Sequence, residues 1–102
     1  MKIQYLTFPG CPNAAGGLAA LERVLADLGV VDPIEEVDMT APGTAEALRD
    51  WASPTILIDG VDAGGETQPN GPGCRMYMDA EGGRSGIPPE SLLAAAIRSA
   101  LK

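Results

Sequence analysis

Cys11 and Cys74 are the only thiols in the chain, and histidine is absent. Without an imidazole there is no Cys-His nucleophile pair, no Ser-His-Asp triad and no mixed Cys/His zinc site. Any reactivity must come from thiols, carboxylates, backbone dipoles or arginines. Cys11 stands in Phe8-Pro9-Gly10-Cys11-Pro12-Asn13, between two prolines, after an apolar run and before a helical one. A thiol at a helix N-terminus faces unpaired N–H groups and the positive end of the helix dipole, which favour the reactive thiolate. A buried cysteine is otherwise a small inert hydrophobe, and that reading stands beside the reactive one.

Cys74 is the one candidate partner for Cys11. Its neighbour Arg75 can act on a thiol or hold a carboxylate, although a lone arginine is more often solvated. Asp59, Asp62 and Glu66 lack the spacing of a calcium loop and read as a solvated face. Trp51, one turn after Leu48, reads as core packing near Pro54, and Tyr5, Phe8, Met76 and Tyr77 also read as core.

These residues must be positioned by a short series of elements. The β-branched and aromatic run 2–8 is a strand ended by Pro9-Gly10. Leu18, Leu21, Leu25 and Leu28 share one face of a helix that Gly29 stops. Pro12 suits its first turn. Gly16-Gly17 leaves two possibilities: a helix that begins only near Leu18, or an early turn that another backbone or a ligand approaches closely. Residues 34–39 are a second strand; Thr44 caps a short helix over 45–51; 55–59 are a third strand before the turn signal Asp59-Gly60. The segment 60–73 is a long Gly/Pro loop. A final helix follows Pro88-Pro89, with Leu92, Leu93, Ala96, Ile97, Ala100 and Leu101 inward.

The fourth strand has two readings. If it is 74–78, Cys74 starts at the end of the sheet remote from Cys11. If it is 61–65, the segment 66–86 lies over the Cys11 end and the two sulfurs can approach.

The strand ending in Phe8-Pro9-Gly10, Cys11-Pro12 opening a helix, and Ser53-Pro54-Thr55-Ile56 leading into a later strand resemble the thioredoxin-like superfamily in its minimal, glutaredoxin-sized form. Cys-Pro-Asn, Ser-Pro-Thr-Ile-Leu and a later Cys-Arg-x-Tyr also resemble small thioredoxin-like proteins labelled alkylmercury-lyase-like. The resemblance implies an α/β, three-layer fold of order β-α-β-α-β-β-α, with a mixed four-stranded sheet and helices on both faces. It further implies a cis Ser53-Pro54 bond beside the sulfur, Cys11 and Cys74 as catalytic residues, and Pro12, Asn13, Ser53, Pro54, Thr55 and Arg75 as substrate-binding residues. The departure is Ala14, which stands where a dithiol oxidoreductase carries its second cysteine.

The 102 residues fit a single domain, 1–102. A net charge of −7 argues against nucleic acid or an anionic membrane as partner. No segment has the length of a transmembrane span, and the N-terminus lacks the apolar core of a signal peptide, so the expected location is cytoplasmic. There two cysteines stay reduced most of the time, which favours transient over structural disulfide chemistry. Three functions fit. In the first, Cys11 attacks a disulfide, and Cys74 or an external thiol such as glutathione resolves it, without a bound cofactor. In the second, Cys11 and Cys74 hold mercury or a similar thiophilic metal. In the third, the cis-proline edge binds an extended peptide without catalysis.

Overall fold

The computed structural model describes residues 1–69, 71, 73–79 and 81–102. Asn70 and Pro72 of the expected loop, and Ala80, lie outside the described residues.

The first strand, β1 (Ile3–Thr7), is buried on both faces because it runs through the middle of the sheet. It pairs in parallel with β2 (Ile34–Asp38) and antiparallel with β3 (Thr55–Ile58). A parallel pair needs a crossover, and α1 (Ala14–Asp27) supplies it. The fourth strand, β4 (Val61–Asp62), returns antiparallel to β3 through Asp59-Gly60, giving the order β2-β1-β3-β4. Asp59 and Gly60 have φ of 50° and 82°. Such a two-residue hairpin requires positive φ at both positions, which Asp-Gly tolerates.

Among the described residues the fold is therefore an α/β domain with a mixed four-stranded sheet and two α-helices. The reading that made 74–78 the fourth strand is overturned. Tyr77–Met78 instead forms a short strand, β5, paired antiparallel with β6 (Arg84–Ser85) in a separate two-stranded ladder.

Period-2 alternation along β1 sends Ile3 and Tyr5 to one face and Leu6 to the other. Ile3 and Tyr5 join Ile56 and Ile58 of β3, Leu21, Val24 and Leu25 of α1, and Leu93 and Ile97 of α2 (Glu90–Ala100) in one core. Leu6 and Leu57 pack with Met39 and Trp51 in a second cluster, flanked by Phe8, Val37 and Leu48. Both α-helices thus contribute to the first core. The helix expected over 45–51 on the second face is only a three-residue 3-10 turn, Glu46–Leu48. Asp50 has a φ of 64°, which no α-helix accepts, and Thr44 spends its hydroxyl on the Asp38 carbonyl, 2.6 Å away, rather than as a cap. Leu101, expected inward, is exposed one residue past the end of α2.

Helix α1 begins at Ala14, between the two starts the sequence allows. It ends in a Schellman motif: Gly29 N–H donates to Ala26 O at 3.2 Å and Val30 N–H to Leu25 O at 2.9 Å, with Gly29 at φ 69°.

Candidate functional site

Pro9-Gly10 forms a tight turn in which Cys11 N–H donates to Phe8 O at 3.2 Å, with Gly10 at φ 86°. Proline then glycine at the two central positions is the composition of a type II turn. The next turn is closed by Ala14 N–H on Cys11 O at 3.3 Å. Cys11 therefore stands three residues ahead of the helix rather than within its first turn, and Pro12, also outside the helix, is exposed. Cys11 is buried, with 9% of its surface exposed.

The glycines of α1 explain how this corner closes. A Cβ at Gly17 would run into the Tyr5 hydroxyl and stand 3.2 Å from Pro54 Cγ; one at Gly16 would stand 2.5 Å from Ile87 Cδ1. The pair thus lets other parts of the chain approach the helix, and the helix runs through both. Tyr5 Oη donates to Ala14 O at 2.6 Å and so ties β1 to the helix start. Asn13, half-buried, lies against Gly86, where any Cβ would collide with its amide.

Because β3 is antiparallel to β1, its first residue, Thr55, pairs with Leu6 near the end of β1 from which Cys11 departs. Ser53 and Pro54, just before Thr55, lie at that same end, and the peptide bond between them is cis. Ser53 N–H donates to Gly73 O at 2.8 Å, and Arg75 N–H donates to Ser53 O at 2.9 Å. These bonds set Cys74 opposite Ser53 in a parallel bridge. Gly71 N–H adds a bond to Asp50 O at 2.6 Å. Both cysteines are thereby brought to one end of the sheet, both are free thiols, and Cys74 is exposed. Of the two readings of the fourth strand, the one at 61–65 holds in shortened form as Val61–Asp62, and Gly71, Gly73 and Arg75 are bonded to the 50–53 edge.

Arg75 overturns the solvated reading given to it. It is 6% exposed and makes two bonds to Asp62, Nη1 to Oδ1 at 2.8 Å and Nη2 to Oδ2 at 2.7 Å, with a third from Nη1 to Thr55 Oγ1 at 3.0 Å. Asp62, read as part of a solvated acidic face, is likewise buried. Arg75 also lies over the Tyr77 ring, 4.5 Å from its centroid, and Tyr77 Oη donates to Pro54 O at 2.5 Å. Glycine at position 64 leaves room for the guanidinium, since a Cβ there would meet Arg75 Nη2.

Asp62 and Tyr77 are the site-supporting residues that motif reading missed. The missed signal is the period of 74–78. Alternate residues of an extended segment face opposite ways, so a buried Tyr77 requires a buried Arg75, and a buried guanidinium requires a carboxylate. The same period corrects Met76, expected in the core and found 58% exposed.

Burial pushes the hydroxyls of Tyr5 and Tyr77 well above the ordinary phenol range; nearby Cys11 adds to the effect at Tyr5, while Arg75 partly opposes it at Tyr77. The Ser53 hydroxyl is fully buried and has no hydrogen-bond partner among the described residues. A cavity of about 330 Å³ opens beside Cys74, lined also by Glu66, Arg75, Met76, Met78 and Leu92. Among the described residues no group of three or more His, Cys, Asp or Glu side chains is placed to hold a metal ion, and no helix is long and apolar enough to cross a membrane. Set against protein-family models, curated proteins and solved structures, the chain matches none of them.

Proposed function

We propose that this chain is a thioredoxin-like thiol redox protein in which Cys11 and Cys74 form the exchanging pair. The observation that carries the reading is the bridge between Cys74 and Ser53, which holds the second thiol at the sheet end where the first one stands. The order β2-β1-β3-β4, with a crossover helix after β1 and a cis-proline before β3, supports the thioredoxin-like assignment. Cys74 substitutes for the cysteine absent at position 14.

Solvent access favours Cys74 as the sulfur that meets a small disulfide first. Its thiolate attacks one sulfur of R–S–S–R′, forms Cys74–S–S–R and releases R′S⁻. The Cys11 thiolate then attacks the Cys74 sulfur and releases RS⁻, leaving a Cys11–Cys74 disulfide. The substrate gains two electrons and the pair loses them. External thiols return the pair to its reduced form by the reverse exchange. A thiolate pair for a thiophilic metal is the second reading, supported by the same placement of two sulfurs. The peptide-binding reading has less support, because the Ser53 groups that an added strand would use are already bonded to Gly73 and Arg75.

The test is reaction of the reduced protein with excess hydroxyethyl disulfide, quenched with acid and followed by mass spectrometry. The parent is expected to accumulate an internal Cys11–Cys74 disulfide, and Cys11→Ser to stop at a mixed disulfide on Cys74. A parent that ends with independent adducts on both cysteines and no internal disulfide overturns the proposal.

A further inference from the structure

The cavity beside Cys74 carries a chemical preference of its own. Cys74, Met76 and Met78 alternate outward along the segment whose inward residues are Arg75 and Tyr77, and all three outward side chains line this cavity together with Leu92. Its wall is therefore partly thioether and aliphatic. Two charged residues line it, Glu66 and Arg75. Arg75 is already matched, since both of its terminal nitrogens are bonded to the Asp62 carboxylate. Among the described residues the Glu66 carboxylate makes no ion pair of its own and reaches Arg75 only through longer-range attraction, and its backbone N–H donates to Asp62 Oδ2 at 2.9 Å. The chain as a whole carries a net charge of −7.

Size is limited by the neighbouring strand. Gly73 and Arg75 occupy both backbone groups of Ser53, and Arg75 is held down by Asp62 and Thr55, so the Ser53 edge is closed to an added strand. We infer that the disulfide exchanged at this site is a small one bearing positive charge, seated against Met76, Met78 and Leu92 with Glu66 as its counter-charge. The inference rests on the redox reading of Cys11 and Cys74 and adds the class of substrate. A carboxylate-rich disulfide such as that of glutathione meets like charge at Glu66 and finds no unmatched cation in the lining. Glu66 acts here as a specificity residue and takes no part in sulfur exchange.

The experiment compares oxidation of the reduced protein by cystamine, hydroxyethyl disulfide and glutathione disulfide. Each rate is divided by that of the same disulfide with free cysteine in the same buffer, which removes intrinsic reactivity. The expected order is cystamine, then hydroxyethyl disulfide, then glutathione disulfide, with steps of about two- to fivefold per charge, the range of a partly screened surface pair. The cystamine-to-glutathione ratio falls in Glu66→Gln, falls further or inverts in Glu66→Lys, and shrinks with added salt. A normalised preference for glutathione disulfide in the parent, or a ratio unmoved by both Glu66 substitutions, overturns the inference while leaving the redox pair intact. Failure of all three disulfides to form the internal disulfide overturns the redox reading and this inference together.

Discussion

Arg75 and Asp62 face each other inside the protein through two parallel N–H···O bonds, and this pair fastens the Cys74 strand to β4. Removing one member leaves the other charge buried without a partner, which costs about 3–5 kcal/mol. That is a large part of the total stability of a domain this size. Arg75→Met is expected to lower the unfolding free energy by an amount in that range, read as a lower urea midpoint at unchanged slope. The double substitution Arg75→Met with Asp62→Leu, which removes both charges, is expected to recover much of the loss. Urea unfolding followed by Trp51 fluorescence checks both, and equal losses in the single and double variants would contradict the account.

The two glycines of α1 separate in the same kind of measurement. Alanine is favoured over glycine in a helix by roughly 1 kcal/mol. At Gly17 a new methyl runs into the Tyr5 hydroxyl and crowds Pro54, two groups fixed in the packed corner around Cys11. At Gly16 it meets only the end of the Ile87 side chain, which is exposed and can rotate away. Gly17→Ala is expected to destabilise the protein despite its better propensity, and Gly16→Ala to be neutral or stabilising. Thermal unfolding of the two variants checks the contrast.

The regular elements were legible because each carries its own period or stop: the leucine spacing of α1, Gly29, the Asp59-Gly60 hairpin, and the short β-branched runs of β1 and β3. The same signals located Cys11 and Ser53-Pro54 at the sheet end. What the sequence left open was everything that depends on the path of 60–86, where glycine and proline suppress periodicity and pairing is decided by contacts across the chain. The Ser53–Cys74 bridge and the Arg75–Asp62 pair are such contacts. Asp62 is not marked locally, since an isolated aspartate is on average solvated, and Arg75 is marked only by its alternation with Tyr77. The 3-10 turn at Glu46–Leu48 failed as a helix for a related reason: a segment too short to repay nucleation takes its shape from the positive φ of Asp50 and the packing of Trp51.

Docking of the Cys74 strand depends on a glycine. A Cβ at Gly71 would lie 2.6 Å from the carbonyl carbon of Trp51 and 2.7 Å from Ala52 N, both backbone atoms that cannot step aside. Gly71→Ala is expected to lift Gly71, Gly73 and Arg75 from the 50–53 edge and free the amides of Ser53 and Arg75, which are bonded across that junction. Hydrogen exchange should quicken at those two amides while those inside α1 stay protected, and formation of the proposed Cys11–Cys74 disulfide should slow. Unchanged exchange at Ser53 and Arg75 would show that the edge tolerates the methyl group.

Tyr5 and Tyr77 are the two tyrosines of the chain, and burial holds the ionisation of both above the ordinary phenol value near 10. In the folded protein each hydroxyl donates to a backbone carbonyl, Tyr5 to Ala14 O and Tyr77 to Pro54 O, and a phenolate cannot donate. The unfolded chain releases its phenolic protons near pH 10, whereas the folded one keeps them. The stabilisation from these two groups is therefore fully present below about pH 10 and declines as pH rises above it toward their raised folded-state values. Phenolate absorbance is expected to stay low through that region and then to rise together with loss of helical circular dichroism, as a single cooperative alkaline transition. A smooth titration near pH 10 in protein that keeps its circular dichroism would show that these hydroxyls are open to solvent and that the corner around Cys11 is looser than described. Tyr5→Phe should leave one phenol titrating in this coupled manner and shorten the protection of the α1 start in hydrogen exchange.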